Sequence, residues 1–191
     1  VVGTVITQVA TGGSGGAGDT IDGGDGDDLI YGGDNTASGS TSEVLDWTDQ
    51  GGDNTNLAAG FTQNTGTMNV AVSFTSDGNN APLFEVATAE TAYTEGGEPF
   101  DPNSNLYLFG NGDGPTSTTT IDFSSADPGV TDEVQNVRFR IADVDWGAGN
   151  HTDVVTINAF DAAGNPVSVT ITPEAGDTVS GNTLTAEEVA E

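Results

Sequence analysis

The residues best suited to chemistry form a run of glycine and aspartate near the start of the chain, Gly23–Tyr31, which reads Gly-Gly-Asp-Gly-Asp-Asp-Leu-Ile-Tyr. Glycine lets the backbone turn sharply and aim carbonyl oxygens at a common point. Aspartate adds carboxylate oxygens, and oxygen atoms of these two kinds are the ligands that Ca²⁺ prefers. Ile30 fits a short inward-facing strand after the turn. The run therefore predicts a calcium site.

Two incomplete copies flank this run. Gly15–Asp22 lacks one residue between Gly18 and Asp19, and Gly32-Gly33-Asp34 opens a third copy in which no carboxylate follows at the required position. The alternative interpretation is a flexible Gly/Asp linker that binds no ion. The predicted calcium ligands in the three copies are Gly16, Gly18, Asp19, Gly24, Asp25, Gly26, Asp27, Asp28, Gly33 and Asp34.

The complete copy matches the pattern G-G-x-G-x-D-x-U-x at every fixed position, and so resembles the calcium-binding repeat of RTX proteins. The resemblance implies a short, incomplete parallel β-roll in which each ion lies between a turn and the next turn on its own side. It also implies that Asp25, Asp27 and Asp28 form an open half-site, because no later repeat faces them. The following domain, water or a second molecule would complete that half-site, and completion by a second molecule would give a calcium-bridged homo-oligomer, filament or surface assembly.

The charge of the chain excludes several partners. Thirty acidic residues against two arginines give a net charge of −28, which would repel nucleic acid and anionic membranes. Bound divalent cations or a saline habitat would relieve the self-repulsion. The chain has no cysteine, and therefore no disulfide and no thiolate ligand. It also lacks the run of about 20 apolar residues that a membrane span requires.

From residue 43 onward, short alternating segments are separated by Gly, Asn, Asp and Pro. This pattern predicts an all-β fold, an antiparallel β-sandwich or jelly roll over residues 43–191, preceded by an N-terminal strand and the repeats over residues 1–42. Asp161–Pro166 is predicted as a hairpin loop. The predicted strands are Glu43–Trp47, Thr67–Thr75, Leu83–Thr88, Leu106–Phe109, Ser117–Phe123, Val134–Asp143, Asp153–Phe160, Val167–Thr172 and Thr178–Leu184. The predicted core is Trp47, Phe74, Phe84, Leu106, Leu108, Phe123, Phe139, Ile141, Ile157 and Phe160.

A second calcium site is predicted in the loop that joins two of these strands. Asp143 and Asp145 share a face at strand spacing, and Asp153 opens the next strand, so the three carboxylates are expected to converge on one hard cation. The alternative is that these polar side chains only bind the loop backbone. The same loop holds His151, the single histidine of the chain.

Catalysis has little support in the sequence, because there is one histidine, no cysteine and no G-x-S-x-G motif. The pattern of strand, acidic loop and strand over Val137–Asp145 and Asp153–Asn165 resembles β-sandwich domains of large secreted RTX proteins of marine bacteria. That resemblance implies a non-enzymatic, calcium-stabilised structural or adhesion module, secreted or at the cell surface of a bacterium in a saline habitat. One alternative is a calcium-dependent carbohydrate-binding module that stacks a polysaccharide on Trp146, Tyr93 or Tyr107. A polysaccharide lyase or hydrolase ranks behind both.

Overall fold

The fold is described from a computed structural model, in which residues 2–8, 42–76, 81–110 and 117–188 are placed, with residues 2–8 described as backbone only. The ten predicted calcium ligands of the repeats lie outside these residues. Within the described residues the fold is all-β, as predicted, and contains no α-helix. No helix there is long and apolar enough to cross a membrane.

The strands follow the alternation of apolar and polar residues. They are β1 Val2–Gln8, β2 Phe61–Asn64, β3 Met68–Ser76, β4 Leu83–Ala87, β5 Asn105–Phe109, β6 Ser117–Ser125, β7 Trp146–Gly147, β8 His151–Thr152, β9 Val154–Phe160, β10 Pro166–Val167, β11 Thr178–Ser180 and β12 Thr183–Thr185. A 3₁₀ turn occupies Trp47–Gln50.

One large sheet has the strand order β11-β12-β9-β1-β6-β3-β2, with β10 also paired to β9. Its neighbouring strands are antiparallel except at β1, which runs parallel to both β6 and β9. The pairs β4–β5 and β7–β8 are separate two-stranded ribbons. The N-terminal strand therefore lies in the middle of a sheet whose other strands all come after residue 60.

The described residues form two core clusters. In β9, Val155 and Ile157 are buried on alternate positions and pack with Leu184 of β12, as a strand with one buried face requires. In the second cluster, the β4 residues Phe84 and Val86 pack with Leu57. Phe84 stacks on Phe74 of β3 at 4.6 Å between ring centroids. The β4–β5 ribbon thus covers one end of the main sheet.

Several predicted strands were placed correctly and others were wrong. Among the described residues Val134–Asp143 has no strand partner, and Phe139 and Ile141, predicted as core, are exposed by 38% and 41%. Glu43–Trp47 is not a strand but leads into the 3₁₀ turn. Thr178–Leu184 forms two strands that turn at Gly181. The loop after β9 is a hairpin loop as predicted, with Gly164 at a φ of 82°.

Candidate metal centre

The hairpin β7–β8 positions the candidate site. Trp146 pairs with Thr152, and Gly147 pairs with His151. The turn between the two strands is closed by a hydrogen bond from the Asn150 amide to the Gly147 carbonyl at 2.8 Å. Gly149 takes a φ of 67° in this turn, a conformation that glycine adopts at no steric cost.

Asp145 and Asp153 extend this hairpin by one further pair. The Asp153 amide donates to the Asp145 carbonyl at 2.9 Å, so the two residues lie opposite one another just outside β7 and β8. Since residues two apart on a strand share a face, residues 145 and 147 lie on the same face as residues 151 and 153. Asp145, Gly147, His151 and Asp153 are therefore the four corners of one face of the hairpin, and three of these corners carry a carboxylate or an imidazole.

Ligand atoms of Asp145, His151 and Asp153 all lie within 4.8 Å of one another. His151 Nε2 is 2.7 Å from Asp145 Oδ1, and the Asp145 amide points to Asp153 Oδ2 at 3.4 Å. Asp153 is 3% exposed, whereas the side chains of His151 and Asp145 are 37% and 41% exposed. The triad is thus a surface site with one buried carboxylate as its floor.

The fourth corner of this face is Gly147, and it leaves room for the imidazole. A Cβ at residue 147 would lie 2.9 Å from Cε1 and 3.0 Å from Nδ1 of His151. Real Cβ atoms almost never approach another atom so closely, so any larger residue would displace the ring. Glycine in a strand often marks this kind of close approach, and here it allows His151 to reach diagonally to Asp145.

The charge around the triad favours a bound cation. The triad holds two carboxylates and one imidazole, and both arginines of the chain bind Glu98, through Arg138 at 2.9 Å and Arg140 at 2.6 Å. A divalent cation carries the charge that balances two carboxylates.

The structure brings together two of the three residues predicted in this loop. Asp143 does not join the group, because its φ of 60° turns the chain out of the extended conformation on which the strand-spacing argument depended. His151, which had not been assigned as a ligand, takes the third place. The glycine-rich sequence at residues 147–150 could have indicated this role, because the turn that it forms places His151 opposite Gly147.

Other described carboxylates bind the protein's own backbone. Glu43 accepts hydrogen bonds from the amides of Thr67 and Met68, at 2.7 and 3.2 Å, and from the hydroxyls of Thr65 and Thr67. Burial opposes ionisation, yet these bonds lower its pKa to about 2. In the acidic turn at residues 101–105, Asp101 accepts from the Asn103 amide at 2.9 Å, an interaction typical of aspartate in turns.

The pKa of Asp161 is lowered by hydrogen bonds from Asn165 and from the turn amides that follow it. Asp161 Oδ1 accepts from the amides of Ala163 and Asn165 at 2.9 and 2.8 Å. This carboxylate stabilises the loop between β9 and β10. It is therefore a structural group, in contrast to the three converging side chains of the triad.

No family model matches the chain, and neither the curated proteins nor the solved structures contain a significant match.

Proposed function

We propose that this chain is a non-enzymatic extracellular module in which divalent cations, calcium among them, hold an acidic β domain together in a structural or adhesive role. The observation that carries the proposal is the triad of Asp145, His151 and Asp153, whose ligand atoms lie within 4.8 Å of one another around a buried carboxylate. A metal ion that binds only the folded chain adds its binding free energy to the stability of the fold.

The composition supports a need for such ions. The net charge of −28 opposes compaction by self-repulsion. The chain has no cysteine and can form no disulfide, so a cation that joins neighbouring segments would be its available crosslink. In the triad the ion would join the end of the segment before β7 to the start of β9.

Calcium itself is assigned to the run Gly23–Tyr31, because that run resembles an RTX repeat and offers oxygen ligands alone. The open half-site that the resemblance implies would support a role in assembly, since an acidic loop of a second molecule would complete the coordination of a shared ion. A bridged assembly of this kind suits a surface layer or an adhesive matrix.

The test is calcium titration of the full chain by calorimetry, together with thermal unfolding in calcium and in EGTA. We expect calcium to raise the melting temperature by an amount equivalent to about 2.7 kcal/mol at 100 times the Kd. Asp28→Asn should remove part of the uptake, whereas Asp122→Asn, an exposed change of the same charge on β6, should not. Absence of any uptake at millimolar calcium would contradict the proposal.

Light scattering tests the role in assembly separately. The particle mass should rise in calcium and return to that of the monomer in EGTA. A chain that binds calcium but remains monomeric in both conditions would limit the proposal to a structural ion and would argue against bridging.

A further inference from the structure

We infer that the triad of Asp145, His151 and Asp153 binds a transition-metal ion of the Zn²⁺ or Co²⁺ type rather than calcium, so that the protein carries two chemically distinct metal centres. The inference rests on the proposed function in treating this triad as a cation site, and goes beyond it in naming the class of metal. Four features of the site carry it.

The first feature is the donor set. Ca²⁺ takes six to eight oxygen ligands, and the triad offers two carboxylates and one imidazole nitrogen. Imidazole is a ligand suited to zinc, copper, iron and nickel, and mixed nitrogen and carboxylate sites bind first-row divalent metals in preference to calcium. The nitrogen of His151 is therefore the atom that sets this site apart from the oxygen-only repeats.

The second feature is the number of protein ligands. Three protein side chains with an additional open position are the usual arrangement of an open zinc site. His151 and Asp145 are 37% and 41% exposed at their side chains, whereas the carboxylate of Asp153 lies beneath them. Water or a group from another molecule can therefore approach an ion in the triad from the solvent side, and an ion held there is open to exchange.

The third feature is the distance between ligand atoms. Bonds of about 2.0–2.2 Å in tetrahedral geometry place the ligands of a zinc ion about 3.3–3.6 Å apart. The ligand atoms of the triad lie within 4.8 Å of one another, and His151 Nε2 and Asp145 Oδ1 are already at 2.7 Å. Small rotations of the side chains that widen the 2.7 Å contact would suffice for coordination, because the backbone pairing of residues 145 and 153 already holds the two residues opposite one another.

The fourth feature is the space that the backbone leaves for the imidazole. Gly147 lies opposite His151, and a Cβ there would fall 2.9 Å from the ring. Gly147 therefore acts as a positioning residue for the nitrogen ligand. The backbone conformation at residue 147 needs no glycine, since its φ is not among the positive values, so the space for the ring is the physical reason for a glycine at this position.

The experiment is a Co²⁺ titration of the full chain in saturating calcium, so that oxygen-only sites are already filled. Visible absorption reports the coordination of cobalt, and competition with Zn²⁺ gives the zinc affinity. We expect one tight cobalt site. His151→Ala should weaken cobalt binding at least tenfold without changing calcium uptake, whereas Asp122→Asn should change neither.

Two further variants separate coordination from folding. Gly147→Ala keeps all three ligands and should weaken cobalt binding severalfold, with an unchanged melting temperature in the absence of metal. His151→Asp makes the triad an all-oxygen site. This variant should therefore no longer bind cobalt tightly and should bind one more calcium ion than the wild type. Equal cobalt affinity in the wild type and His151→Ala would overturn the inference.

The outcomes for the two metals are independent. Calcium uptake without a tight cobalt site would contradict the inference and leave the proposed function intact. A tight cobalt site that depends on His151, in a chain that takes up no calcium, would support the inference and contradict the calcium-binding function.

Discussion

At the scale of single residues, Glu43 shows how a carboxylate stabilises this protein without a metal. It precedes the 3₁₀ turn and binds the β2–β3 turn through Thr65, Thr67 and Met68. Its pKa is lowered from 4.5 to about 2 in the folded protein. The folded state therefore binds a proton less readily than the unfolded state. Stability from Glu43 is present above pH 4.5 and is lost as the pH falls towards 2.

The first prediction concerns Glu43→Gln. The amide has one acceptor atom instead of two and places an NH₂ group against backbone donors, so we expect a loss of about 1–3 kcal/mol at pH 7. The difference in the free energy of unfolding between variant and wild type should shrink at pH 3, where Glu43 of the unfolded wild type is already protonated. Urea unfolding at both pH values measures it, with Asp122→Asn as the control. An equal difference at pH 7 and pH 3 would contradict the role assigned to the carboxylate.

The candidate metal centre was partly predictable at this scale. The structure brings together Asp145 and Asp153, of which Asp153 was predicted because it opens a strand, whereas the strand spacing that paired Asp145 with Asp143 does not hold. Asp143 could not be excluded from the sequence, since its left-handed φ of 60° is a local choice that aspartate allows but does not require. His151 required knowledge of the turn, which sets the residues that face one another across a hairpin.

At the scale of elements, the alternation of apolar and polar residues predicted strands correctly in segments that pair with a neighbouring segment of the chain. The segments that became β3, β4, β5, β6 and β9 were predicted with boundaries that differ by at most two residues from those observed. β2 was missed because Phe61–Asn64 is short and carries a single large apolar residue. Alternation shows which side chains share a face, but it does not show whether a neighbouring strand is present.

Val134–Asp143 illustrates this limit. Asn136 and Asp143 both take left-handed conformations, with φ of 55° and 60°, which interrupt an extended strand. Between them Arg138 and Arg140 converge on Glu98, and the Arg140 guanidinium also lies 5.3 Å from the ring centroid of Tyr93. The segment is therefore anchored by its arginines, while Val137, Phe139 and Ile141 remain exposed.

The second prediction compares two valines that the sequence patterns treat alike. Val86 in β4 is 1% exposed and belongs to the second core cluster, whereas Val137 is 36% exposed. Val86→Ala should lower the free energy of unfolding by about 1.5–3 kcal/mol, whereas Val137→Ala should change it by less than about 0.5 kcal/mol. Urea unfolding of both variants makes the comparison. Equal losses would mean that the segment around Val137 packs as a strand after all.

At the scale of the whole molecule, the central position of β1 was not predictable from the sequence. Parallel pairing of Val2–Gln8 with β6 and β9 joins residues more than a hundred positions apart, and no local pattern identifies such partners.

The last prediction follows from the net charge of −28. Repulsion among exposed carboxylates is screened over about 30 Å at 0.01 M salt and about 3 Å at 1 M, so the melting temperature should rise steadily with NaCl over this range. Specific cation sites act differently, because mass action saturates them at low concentration. Calcium should therefore raise the melting temperature well above NaCl at the same ionic strength, and EGTA should remove only that excess. Magnesium at equal concentration is the control, since it has the same charge but demands a tighter octahedral geometry. If the melting temperature depends on ionic strength in the same way for all three salts, screening alone stabilises the domain.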